Sequence, residues 1–459
     1  MESDFLKNYE VLPTEENLME YLYNDTINRN KDIIYFYKIL QAQDSIATIA
    51  IDGRWGSGKT FFVRQTKMVI NALNPLSVID EKVREKVYKR FSALKDEQNS
   101  DNCIIAVYYD AWKNDNDEEP IFSLIYEITK QLCIDFSLSD KSIVKIAGTI
   151  VEAISGHNIN GIKEALASEN IFTKFKEQKS IEDKIKDFFT GLLAERGNRL
   201  VIFIDELDRC KPIFAVRFLE QIKHYIFDDR ITFVFSVNLE QLQYTIQHYY
   251  GIKFDSCRYL DRFFDLRITI PPADMEKFYN QLELRPQYSI DRVIEHVIKM
   301  FNFELREITR FYSQVKAAVY EPTHNSKEYD FSFQVGEGKH VILVYIVPLL
   351  IGLEIADISK YNNFINGQDI EPLRDLFRED EIERVLIRML NNDESFDKEM
   401  GKKFVTQEEI IKRFYNAIFV TQYSGSKYHT VLGQFEFSKE SKIFAINAAN
   451  MMSNFAEFS

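Results

Sequence analysis

Residues 53 to 60, Gly53-Arg54-Trp55-Gly56-Ser57-Gly58-Lys59-Thr60, satisfy GxxxxGK[ST] at every specified position. Glycines at 53, 56 and 58 let backbone N–H groups converge on phosphate oxygens without a Cβ in the way. A helix starting directly afterwards would add its N-terminal dipole. Lys59 would reach the β- and γ-phosphates as a point charge, the Thr60 hydroxyl would ligate Mg²⁺, and Trp55 and Ser57 belong to the same nucleotide-facing loop. The plainer alternative is a tight strand-to-helix turn that merely looks like a phosphate cradle.

A phosphate cradle needs an acid at the end of a neighbouring buried strand to anchor the metal. The run LVIFIDELDR supplies one, with Asp205 after five apolar residues and Glu206 next. Asp205 is assigned to Mg²⁺ and Glu206 to the attacking water, as base or orienter. For Asp208 and Arg209 a salt bridge or helix cap competes evenly with a role near the γ-phosphate. Asn238 closes ITFVFSVN and could contact the γ-phosphate as a sensor does, or simply cap a turn. Arg306 and Arg310 share a face of one predicted helix and could reach the nucleotide from a helical lid. A solvated face is the equal alternative.

These groups have to be positioned by a scaffold, and the chain has the pattern for one. IATIAID, NCIIAVYYDAW, NRLVIFID, DRITFVFSVN and LRITIPP read as buried strands separated by helical segments, the pattern of a parallel sheet with helices on both faces. Pro120 suits the first turn of a helix. The fold class is therefore α/β, a P-loop sheet flanked by helices. Residues 1–45 form an N-terminal helical segment, with helical periodicity over 14–43. The nucleotide-binding core spans 46–134 and 196–272, interrupted by a helical insertion at 135–195. Residues 273–459 form a mostly helical lid, effector or partner-binding region. Residues 81–99 read as one solvated helix.

At 459 residues the chain is long enough for two or three domains. Its 45% hydrophobic content is that of a globular protein. A net charge of −14 argues against nucleic acid as a partner. Cys103, Cys133, Cys210 and Cys257 form no CxxC pair and read as thiols of a cytoplasmic protein. The stretch VILVYIVPLLIGL, 341 to 353, falls short of the ~20 residues a membrane span needs and reads as a buried helix with Pro348 near its middle or at a break. SIVKIAGTIVEAIS at 142 to 155 reads as amphipathic.

Taken in order, WGSGKT, YDAW with its acidic loop and Pro120, VIFIDELDRCKP, ITFVFSVNLEQL and YLDRFFDLRITIPP resemble the KAP family of P-loop NTPases, a group related to signal-transduction NTPases. The first motif alone is common; the ordered set is specific and covers about residues 14 to 320. The resemblance implies ATP as ligand with Mg²⁺, slow hydrolysis, a switch-like role, and a protein partner or self-association. It also implies membrane-spanning inserts in many members, which 135–195 does not show. Asn238 stands where the family often has Asp, and Arg262 where Lys is frequent. Arg262 is expected to make a structural salt bridge rather than act as an arginine finger, and Trp112 to close the core at a strand end. Soluble proteins of this kind occur in bacterial mobile elements and phage exclusion, so a defence-related switch is the expected setting. The competing expectation is an ATP-binding scaffold with negligible turnover.

Overall fold

The computed structural model describes residues 12–42, 47–95, 103–117, 119–132, 171–225, 228–282, 284, 289–320, 338–378, 382, 407–424, 428–433 and 435–450. The amphipathic stretch 142–155, Cys133 and the first part of the expected insertion lie outside them. The chain divides into two compact units, one spanning Leu12–Lys277 and the other beginning at Phe278.

The first unit is built on five parallel strands: β1 (Ala47–Asp52), β2 (Ile104–Asp110), β3 (Arg199–Asp205), β4 (Ile231–Val237) and β5 (Leu266–Thr269). Their order across the sheet is β2-β3-β4-β1-β5. The near-continuous apolar runs are what strands covered on both faces require. On one face, helices Glu15–Asn24, Asn30–Gln41, Lys59–Leu73 and Glu81–Arg90 bring Leu22, Phe36, Val63 and Val87 against Ile49, Ile51, Val201 and Phe203. On the other, helices Pro120–Gln131, Ile171–Arg196, Pro212–Tyr225 and Leu239–Tyr250 bring Ile128, Leu192, Phe218 and Leu242 against Val107, Ile202, Ile204 and Phe233.

Two local expectations need correction. The periodicity over 14–43 belongs to two helices, because Asp25 and Asn28 adopt φ of 51° and 57° and turn the chain between them. The expected solvated helix at 81–99 ends at Arg90, and a short turn Ser92–Lys95 follows. It is not wholly solvated either. Arg84 is buried and donates to the carbonyls of Ala72, Asn74 and Ser77, so backbone at the end of helix Lys59–Leu73 satisfies its donors, and Glu81 lies 3.6 Å from its Nε.

Strand β2 is a sheet edge, and two side-chain amides complete its hydrogen bonding. Asn71 exchanges bonds with both the N–H and the C=O of Ala106, at 2.8 Å each. Gln131 does the same with Tyr108, accepting at 3.1 Å and donating at 2.5 Å. The edge is thereby closed to further strands, and Tyr108 is fixed in place.

The second unit is mostly helical and includes a hairpin of β6 (His429–Leu432) and β7 (Phe435–Ser438). The stretch 341–353 lies in one helix, Lys339–Ala356, which is long and apolar enough to cross a membrane by length and composition, with 72% of it buried in the fold. A π-helical turn, Ile342–Ile346, sits just before Pro348, whose missing N–H could not close an α-helical bond to Val344. Gly352 of this helix lies where a Cβ would meet Val297 Cγ1 at 2.5 Å and Phe301 Cε2 at 3.0 Å. Gly352→Ala is therefore expected to lower stability by about 1–3 kcal/mol through overpacking, read as a shift of the denaturation midpoint. An unchanged midpoint would show that the helix can move aside freely.

Candidate functional site

The loop Gly53–Gly58 leaves the carboxyl end of β1 and enters the helix Lys59–Leu73, the placement in which an open α/β sheet binds ligands. Gly56 and Gly58 adopt φ of 87° and 89°, which strongly favours glycine. Gly53 is required for a different reason: a Cβ there would meet Ile270 Cγ2 at 2.8 Å and Ser57 Oγ at 2.9 Å. Lys59 folds back over the loop, its Nζ donating to the carbonyls of Gly53 at 2.6 Å and Arg54 at 3.0 Å. Burial holds its pKa below the usual lysine value, opposed by the charges of Asp208, Asp205, Glu206 and Asp52.

Asp205 closes β3 and is 1% exposed. The sheet register pairs it with Ser236 of β4 and pairs Tyr108 of β2 with Phe203, so all three side chains lie on the face covered by helix Lys59–Leu73. Tyr108 donates its hydroxyl to Asp205 Oδ2 at 2.9 Å. Burial pushes the Asp205 carboxyl up, and the hydroxyls of Ser236, Thr60 and Tyr108 together with Lys59 oppose that shift. The donor set is hydroxyl and carboxylate oxygen, which fits a hard cation such as Mg²⁺ that keeps several waters and phosphate oxygens of its own. Thr60 and Asp205 are the residues that would hold it.

Glu206 follows with φ +61°, a left-handed backbone for a non-glycine residue. Its carboxyl is pushed up to about 7, chiefly by burial and then by the Asp205 charge. That value suits proton exchange near neutrality. Arg209, one turn of 3₁₀ helix later, places Nε 2.5 Å from Glu206 Oε2. Asp208 is buried and accepts from Trp55 Nε1 at 2.6 Å, tying the acidic turn to the phosphate loop. Arg209 thus makes the expected salt bridge, and Asp208 tethers the phosphate loop.

Asn238 lies at the end of β4, beside the Asp205 strand, and its Oδ1 caps helix Leu239–Tyr250 by accepting from Glu240 N and Gln241 N. Only its amide nitrogen remains as a donor. Trp112 does not close the core. It is 53% exposed, and its ring lies under the Arg209 guanidinium. Arg262 ends a short helix and is exposed, and its carbonyl accepts from Lys223. The ion pairs near it in sequence are Arg258–Asp255 and Arg267–Asp261; the expected salt bridge of Arg262 itself is not formed among the described residues. Arg306 and Arg310 are exposed on helix Leu305–Val315 of the second unit.

Three contributors carry no motif signal. Tyr108 reaches Asp205 only through strand register. Asp52 accepts from Leu239 N at 3.0 Å, and Arg29, buried in the turn after the first helix, donates to the Ser57 carbonyl at 3.4 Å. Strand alternation would have placed Tyr108 on the right face; nothing short of the fold points to Arg29.

No curated protein matches the sequence. Among solved structures, the ORC2 protein of Aeropyrum pernix in its ADPNP–ADP complexes is similar at 14% identity over 97% of both chains, with a TM-score of 0.31. The ORC1 protein of Aeropyrum pernix in complex with DNA is similar at 13% identity over 98% of this chain and 95% of that chain, also with a TM-score of 0.31. Both likenesses are remote. The KAP family P-loop domain profile, by contrast, matches residues 29–321, more than half of the chain and the whole of the site above. The chain belongs to the KAP family of P-loop NTPases.

Proposed function

We propose that the chain binds Mg-ATP and hydrolyses it as a conformational switch. What supports this most is the convergence of a buried Lys59 after the phosphate loop with Asp205 and Glu206 at the end of β3 in the same sheet. The loop N–H groups and Lys59 hold the phosphates, Thr60 and Asp205 hold the metal, and Glu206 accepts a proton from the attacking water or orients it. Bound Mg²⁺ supplies charge neutralisation on the phosphate oxygens. Tyr108 keeps the Asp205 carboxylate oriented through its O–H.

One observation favours the second reading, an ATP-binding scaffold with negligible turnover: Glu206 is engaged by Arg209. Two measurements decide. Phosphate release from Mg-ATP by the purified chain supports hydrolysis, and its absence favours the scaffold. Hydrogen exchange along helix Leu305–Val315 should be slower with ATP than with ADP if the second unit responds to the terminal phosphate. Identical exchange in the two nucleotides removes the switch.

The setting we infer is cytoplasmic, in keeping with thiols at Cys210 and Cys257 that form no disulfide among the described residues, and involves a protein partner or self-association. A role in bacterial anti-phage defence rests on family likeness. Phage plating on cells carrying the wild-type chain or Lys59→Ala tests it, and equal plating on both removes it.

A further inference from the structure

The chain contains two tryptophans, and both meet the same arginine. The Arg209 guanidinium carbon lies 5.3 Å from the Trp55 ring centroid and 5.5 Å from that of Trp112. Both rings are about half exposed, at 45% and 53%. Trp55 belongs to the phosphate loop itself and is tethered to Asp208. The cation is therefore held against the loop that receives the phosphates, on the same turn as Glu206.

A guanidinium over aromatic faces is held in position and weakly hydrated, a state suited to a planar, bidentate grip on an anion. Its present anion is Glu206, at 2.5 Å. That contact is an ion pair without hydrogen-bond alignment, since the buried Nε finds no acceptor along its N–H direction. The arginine is thus paired in charge but not in geometry. A terminal phosphate carries more charge than a carboxylate and three acceptor oxygens, so it is the stronger claimant for the same group.

We propose that Arg209 reads the terminal phosphate of the nucleotide. Without that phosphate the guanidinium restrains Glu206. When the γ-phosphate is present, its oxygens take over the guanidinium and Glu206 is released to act on water. The inference rests on the ATP reading above and adds to it a residue that distinguishes ATP from ADP.

Because Trp55 and Trp112 are the chain's only tryptophans, intrinsic fluorescence reports on this arginine directly. The full-length chain is titrated with Mg-ADP and with the magnesium complex of a non-hydrolysable ATP analogue, following emission and measuring affinity by calorimetry. The analogue is expected to change emission beyond any change with ADP. Arg209→Gln is expected to abolish that difference and to lower the analogue-to-ADP affinity ratio by about tenfold or more, as for loss of a charge-assisted hydrogen bond, with ADP affinity nearly unchanged. Should Arg209→Gln show no cooperative unfolding transition, Arg209→Lys carries the test. It keeps the charge but lacks the planar fork, so the ratio must fall there too. If both nucleotides bind in a Lys59-dependent way and neither Arg209 variant alters the ratio, the assignment of Arg209 is overturned and the ATP reading stands. If the wild-type chain binds neither nucleotide, both readings fall together.

Discussion

Lys59→Ala is expected to raise the Kd for ATP by about 10²-fold, the equivalent of ~2.7 kcal/mol. Lys59 opens the helix after the loop and is buried, with its amine held by the carbonyls of Gly53 and Arg54. Around it lie the charges of Asp208, Asp205, Glu206 and Asp52. Truncation removes the positive charge that faces the phosphates and also leaves these carboxylates to repel them. Alanine is the best helix former, and residue 59 opens a helix, so the fold itself should tolerate the change. The two effects separate in a thermal experiment. At a hundredfold excess over Kd, ATP stabilises the wild type by about 2.7 kcal/mol, several degrees at ~2–4 °C per kcal/mol. The variant should unfold close to the nucleotide-free wild type and gain almost nothing from the same ATP. Equal Kd values by calorimetry would remove the phosphate-binding role of Lys59.

The parts of this site that could be read in advance are those that local sequence determines. Glycines at 53, 56 and 58 and the lysine after them form a contiguous string. The strand before it and the acid-ending strand LVIFID are apolar because the sheet is covered on both faces, and that requirement leaves a continuous run in the sequence. Contacts across the sheet leave no such trace. Trp55 and Asp208 are 153 positions apart, and Tyr108 and Asp205 are 97 apart; each pair exists because the parallel sheet gathers segments distant in sequence at the carboxyl edge of its strands. Trp112 was misread for the same reason. A large aromatic at a strand end ordinarily fills a core, whereas this one stays at the surface against Arg209, a residue 97 positions away. Arg84 reverses the error: a charged residue in a charged helix looks solvated until three backbone carbonyls are found around it. The sequence pattern also merged the helices on either side of Asp25, since left-handed non-glycine residues carry no warning in composition.

Glu206→Gln tests the chemistry rather than the binding. The substitution keeps size and shape, so the left-handed backbone at 206 is strained equally in both forms. The amide retains a hydrogen-bond acceptor but cannot take a proton. A positioned general base contributes about 10²–10⁴-fold, and turnover is expected to fall by that amount while ATP affinity is retained. Loss of the charge also removes the ion pair with Arg209, so the arginine becomes available to the γ-phosphate in the variant without competition. ATP should then bind at least as tightly as in the wild type, a result that a simple folding defect could not produce. The measurement is phosphate release in a single turnover at saturating ATP, beside the calorimetric Kd. Measurable release in the wild type that the variant leaves unchanged would take Glu206 out of the mechanism. No measurable release from either chain would mean instead that the wild type does not turn over with ATP bound, and the chain would then be an ATP-binding scaffold.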